Sequence, residues 1–186
     1  TANGSWYKVE LTNNIIVNNV AGVAGGGIAL QDAARTMIVN NTIAHNDSTA
    51  TAGAAFAGAP ANQTTPQPAG VVSSLHSAQL MAALNIQGPT TFPIFSNPLL
   101  TNNIILNNRS FHYNTGVLLF DNANDLAVLP VGSLCGAVPC KLNPQYSVLS
   151  TTTVGYTFTN VLVDETQTPM FFNAYYNAPP AAPYLG

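Results

Sequence analysis

Asn13-Asn14-Ile15-Ile16-Val17-Asn18-Asn19 recurs with little change as Asn40-Asn41-Thr42-Ile43-Ala44-His45-Asn46 and as Asn102-Asn103-Ile104-Ile105-Leu106-Asn107-Asn108. A short strand bracketed by paired asparagines, repeated at the length of one turn of chain, is the sequence form of a solenoid. The first two copies start 27 residues apart and the third starts 89 residues after the first. At the offset of 89 further residues coincide: Leu11 with Leu100, Gly27 with Gly116, Ile28 with Val117, Leu30 with Leu119 and Asp32 with Asp121. Residues 9–32 and 98–121 therefore read as one structural unit used twice.

Period-2 alternation assigns the apolar residues of each copy to one inward face. Leu11, Ile38 and Leu100 occupy one equivalent position, and Ile16, Ile43 and Ile105 another. With paired strands about 4.8 Å apart, each set becomes an aliphatic stack. The asparagines mark corners, where Asn tolerates left-handed backbone angles better than most residues. Asn19, Asn46 and Asn108 then stand one above another and can pass amide hydrogen bonds between coils.

These phrases, followed by Gly27-Ile28-Ala29-Leu30 or Gly116-Val117-Leu118-Leu119, resemble the repeats of right-handed parallel β-helix proteins of the pectate-lyase-like superfamily. Asn107-Asn108-Arg109-Ser110-Phe111, Leu142 to Leu149 and Phe171-Phe172-Asn173 more loosely resemble β-helix segments of very large secreted bacterial proteins, some of which also carry multicopper-oxidase domains. The resemblance implies an all-β, right-handed parallel β-helix forming one domain. Its repeat coils would cover about residues 7–58 and 98–121, with Trp6 and Tyr7 over the first of them. An insertion of about residues 59–97 would hold an exposed loop and a short helix from Ser73 to Asn85, with a serine cap and Leu80, Met81 and Leu84 packed inward. Residues 122–186 would form irregular strands, among them Leu126 to Val131, Tyr146 to Leu149, Tyr156 to Val163 and Met170 to Phe172, and a proline-rich extended arm.

Composition narrows the function. Charged residues make up 6% of the chain and hydrophobic residues 47%, against about 25% charged in ordinary soluble domains. Four Lys plus Arg and a net charge of −3 leave no basic stripe for nucleic acid. No apolar run reaches the roughly 18 residues of a spanning helix. The chain starts at Thr1 without a methionine or an apolar leader, as expected of a processed chain or a piece of a longer one. Cys135 and Cys140 are expected to close a small disulfide loop, which points to an exported, extracellular or cell-surface protein. Five Asn-x-Ser/Thr sequons, at Asn3, Asn40, Asn46, Asn62 and Asn108, are close to what this composition yields by chance.

The search for chemistry finds few reactive groups. Polysaccharide-active relatives on this fold place acidic and basic residues together on an outer strand face. Here Asp121 and Asp125 are the candidates for glycosidase-type acid/base work or for a calcium site, with Tyr113 beside them for a glycan, and with turn-capping as the alternative. His45, His76 and His112 show no metal-binding spacing, and His45, equivalent to Asn18 and Asn107, reads as an exposed corner. Asp164-Glu165 reads as solvated turn charge. No catalytic residue is assigned, and calcium is the one cofactor left open. The expectation is a non-catalytic extracellular structural module, either a β-helical subunit of a surface fibre or a segment of a larger secreted protein. Its partners would be copies of itself stacked head to tail, or other surface proteins. A carbohydrate-binding or polysaccharide-degrading protein, or an adhesin, is the alternative.

Overall fold

The computed structural model describes residues 7–52, 62–85, 92–150, 156 and 159–164. It is mostly β-structure, and apart from one two-stranded hairpin its strands fall into four larger sheets that the chain visits in a recurring order. The first round is β1 (Val9–Thr12), β2 (Ile15–Val17), β3 (Val20–Ala21) and β4 (Ile28–Leu30), one strand in each sheet. The second is β5 (Thr36–Val39), β6 (Thr42–Ala44), β7 (Asp47–Ser48) and β8 (Val71–Ser74), followed by helix α1 (Ala78–Asn85). The third is β9 (Leu99–Thr101), β10 (Ile104–Leu106), β11 (Arg109–Asn114), β12 (Val117–Ala123) and β13 (Leu126–Leu129). After the hairpin β14 (Leu134–Cys135) and β15 (Val138–Pro139) come β16 (Pro144–Gln145), β17 (Val148–Ser150) and β18 (Val161–Val163).

The sheets run β1-β5-β9-β16, β2-β6-β10-β17-β18, β3-β7-β11-β12 and β4-β8-β13. Every pairing in them is parallel except β11 with β12. Parallel pairing with the same residue type at the same height puts like side chains in columns. Leu11 pairs with Ile38 and Ile38 with Leu100. Ile16 pairs with Ile43, then Ile105, Leu149 and Leu162. Ile38, Ile43, Leu100, Ile105 and Leu149 are wholly buried, in one core cluster with Ile28, Val71, Leu126 and Val128 from the fourth sheet.

Three expectations change. Val71–Ser74, placed inside an insertion, is strand β8 between β4 and β13. The apolar run carries no paired asparagines, so its sequence hides its membership. The helix starts at Ala78 rather than Ser73, with the Leu80 N–H donating to the Ser77 hydroxyl at 3.2 Å. Leu84 is its buried residue, while Leu80 and Met81 are half-buried. The repeat at offset 89 ends with the third phrase. Ile28 is matched by Val71 and Leu126, whereas Val117 and Leu119 lie on β12, which folds back antiparallel on β11 through a turn at Gly116. Gly followed by alternating aliphatics suits a strand of either direction, because alternation records faces and not polarity.

Tyr7 is 94% exposed and covers nothing, and Trp6 lies outside the described residues. Leu126–Leu129, Val148–Ser150 and Val161–Val163 are the strands found within the expected later segments. Met170–Phe172 and the proline-rich arm lie outside the described residues.

The columns make the cost of a cavity depend on height in the stack. Ile43→Ala, in a fully buried middle position, is expected to destabilise by about 2–5 kcal/mol, and Leu11→Ala, half-buried at the column's end, by under about 2 kcal/mol. Urea unfolding of the two variants measures the difference.

Candidate functional site

The two asparagines of each pair do different work. The first turns the chain: Asn13, Asn40 and Asn102 have φ of 59°, 57° and 55°, and Asn18, His45 and Asn107 have 57°, 55° and 52°. Those left-handed angles cost an ordinary L-residue about 1–2 kcal/mol, least for Asn. The second asparagine stacks. Asn46 Oδ1 accepts from the Asn19 backbone N–H at 3.1 Å and from Asn19 Nδ2 at 2.9 Å. Asn46 Nδ2 donates onward to Asn108 Oδ1 at 2.8 Å and back to the Ile16 carbonyl at 2.9 Å. Asn108 repeats the pattern, donating to Asp125 Oδ1 from its backbone N–H at 3.0 Å and from Nδ2 at 2.7 Å, and to the Ile43 carbonyl at 3.0 Å. Asn46, Asn108 and Asp125 are buried, and each amide is used fully, as burial requires.

A second ladder, which the sequence reading missed, runs through Asn14, Asn41 and Asn103. Asn14 donates to Asn41 Oδ1 at 2.9 Å from both its nitrogens, and Asn41 donates to Asn103 Oδ1 at 2.9 and 3.2 Å. Beyond it, the Asn103 N–H donates to Ser147 Oγ at 3.1 Å and the Ser147 N–H to Asn160 Oδ1 at 2.9 Å. The signal was present, since both asparagines of every pair repeat.

The third sheet carries a polar column beside these ladders. Arg109 pairs with Asp47 in register, and its Nε and Nη2 donate to Oδ1 and Oδ2 of Asp47 at 2.7 and 2.6 Å. Both side chains are buried, and the guanidinium lies 5.3 Å from the Phe111 ring centre. Burial raises the Asp47 carboxyl above its ordinary range against the pull of Arg109. Asp47 and Arg109 are 62 residues apart, the spacing of Asn46 and Asn108, so the repeat offset locates them. Gly26 backs onto this column, because a Cβ there would meet the Asp47 carbonyl oxygen at 2.3 Å.

His45 is not the exposed corner expected. It is half-buried, and its Nε2 is buried without a hydrogen-bond partner. Burial, then the Arg109 charge, hold its imidazole below the ordinary value.

Asp121 and Asp125 occupy different surroundings: Asp121 is exposed on β12, and Asp125 is buried as the end of a ladder. Asp121 is also not the counterpart of Asp32, which turns the chain at φ 52° and accepts from the Ser77 N–H at 2.7 Å, with His76 Nδ1 at 3.6 Å. That backbone bond lowers the Asp32 carboxyl, while burial lowers His76. The Tyr113 N–H donates to Thr64 Oγ1 at 2.8 Å. Among the described residues no three His, Cys, Asp or Glu side chains form a group fit for a metal ion. Cys135 and Cys140 are disulfide-bonded across the hairpin. Asp164 is exposed, and Glu165 lies outside the described residues. Of the sequons, Asn40 and Asn62 are exposed, Asn46 and Asn108 are buried in the ladder, and Asn3 lies outside the described residues.

Comparison with protein-family models, with curated proteins and with solved structures finds no match to this chain.

Two outcomes follow from this geometry. Asn46→Ala strips donors and acceptors from buried partners on both sides and is expected to cost about 3 kcal/mol, whereas Asn19→Ala, exposed at the ladder's start, costs under about 1 kcal/mol; chemical denaturation compares them. Unfolded His45 takes up a proton as pH falls through 6.5 while the folded chain resists it, so stability drops on acidification below that pH. His45→Asn, matching Asn18 and Asn107, should keep the left-handed corner and reduce the loss of melting temperature between about pH 8 and pH 5.

Proposed function

We propose that this chain is a right-handed parallel β-helix acting as a non-catalytic structural module of an extracellular surface assembly. The observation that carries the reading is the recurring order of the four sheets, held by one aliphatic core and two asparagine ladders. The hydrogen bonds of the buried ladder asparagines are spent on joining one round of chain to the next. In this reading its partners, another copy or another surface protein, meet it at the ends of the stack. An exported location is supported by the Cys135–Cys140 disulfide. Among the described residues, no helix is long and apolar enough to cross a membrane. Of the two carboxylates suggested for the polysaccharide-degrading alternative, buried Asp125 already accepts two hydrogen bonds from Asn108 at Oδ1, which favours the structural reading.

The expected result of incubating the purified chain with a panel of acidic and neutral polysaccharides is no new reducing ends and no unsaturated sugar products. Release of either would sink the structural reading.

A further inference from the structure

The round β1 to β4 is built like the middle of a stack but lies at its edge. Among the described residues β1, β2, β3 and β4 are each the outermost strand of their sheet, so four parallel edges lie in one layer. Val9, Ile15 and Val20 on it are 47%, 65% and 47% exposed. Its ladder residues are also unfinished. Asn41, Asn46, Asn103 and Asn108 each accept two hydrogen bonds at Oδ1 from the preceding round. Asn14 and Asn19 donate in the same way, but among the described residues nothing donates to the Oδ1 of either.

We propose that this layer docks a partner polypeptide that ends in a further asparagine-cornered parallel β-layer, whose two corner amides donate to Asn14 Oδ1 and Asn19 Oδ1. The proposal rests on the structural reading above and names the partner it requires. The interface would continue the one already seen between the first two rounds, where strand pairing and two asparagine contacts coincide in register. Edge addition of this kind draws affinity from the main chain and selectivity from the side chains that must match. The far end of a second copy does not match. There the third sheet is closed by antiparallel β12, and the residue that receives the ladder of Asn19 is Asp125, whose carboxylate has no amide hydrogen to donate. The other ladder ends at Asn160, whose Nδ2 is committed to the Pro144 and Tyr156 carbonyls. Among the described residues, the far end of a copy therefore offers no side-chain amide hydrogen to either acceptor.

The probe is a synthetic peptide of residues 9–33 of this chain, titrated into the full chain by calorimetry, with hydrogen exchange read on the complex. The expected result is saturable one-to-one binding, slowed exchange in β1, β2 and β3, and at least about tenfold weaker binding of a peptide carrying Asn14→Asp and Asn19→Asp. Absence of binding, equal binding of the two peptides, or protection at β16 and β18 instead would overturn the proposal. So would concentration-dependent self-association of the chain alone that protects β1 to β3, since a copy would then be the occupant. A second measurement avoids peptide solubility: a chain with residues 9–35 duplicated ahead of Val9 should melt at a higher temperature. The gain should vanish when the duplicated Asn14 and Asn19 are Asp, and no gain in the first place also overturns the proposal. Polysaccharide cleavage by the chain would end the structural reading yet leave these binding results standing, so the two failures are distinguishable.

Discussion

A parallel strand placed over another must bring a matching side chain to the same height, and any polar group closed in between must find its partner there. The asparagine ladder meets both demands with one residue type. Its Oδ1 takes two bonds from the round before, while its Nδ2 gives one to the round after and one back to the main chain. Such bonds contribute only about 0.5–1.5 kcal/mol each net, but leaving their partners unmade when buried costs about 1–3 kcal/mol per group. The ladder therefore acts chiefly as a register lock. A slip of one round step would leave buried amides and carbonyls unanswered along both columns. The aliphatic stacks supply the larger driving force, and they are in register because the corners hold them there.

The third sheet departs from this economy. Where the other sheets bury isoleucine and leucine, it buries the Asp47–Arg109 pair and the stacked Ser48 and Ser110. A buried ion pair is weak evidence for stability, since desolvation of both charges offsets their attraction, but removing one partner strands the other. Here the pair stands where the chain stops repeating. One residue beyond Arg109 the strand shifts register, and β12 returns alongside it antiparallel. Asp125 then closes the neighbouring ladder with an oxygen that accepts without passing a bond on. Among the described residues the sheets thus have two unlike ends, open at β1 to β4 and closed in the third sheet by β12.

Much of this was legible in the linear chain, for reasons particular to certain residues. The 27-residue spacing of the first two phrases is the spacing of Leu11 and Ile38 in the sheet, because paired asparagines can stack only at one register. Gly27 and Gly116 misled, because glycine followed by aliphatics occurs equally at the entry to a parallel strand and after a tight hairpin turn. β8 was hidden because Val71-Val72-Ser73-Ser74 has no asparagine corner, and its place is decided by strands on both sides of it. Asp125 was read as half of an acidic pair, yet the three-dimensional neighbour that consumes it, Asn108, is 17 residues away.

By itself the sequence determined the repeating strand, its inward face and its corners, since these follow from local alternation and from the tolerance of asparagine for left-handed angles. It also determined the two sets of aliphatic residues that stack, because the repeat offset carries each onto the next. Only the tertiary structure decided where the repetition ends, which strand turns back, which carboxylate is used up in a ladder and which ladder atoms are left open. Those outcomes depend on what lies above and below each layer, and pairing between layers joins residues whose separation along the chain varies from 13 to 65.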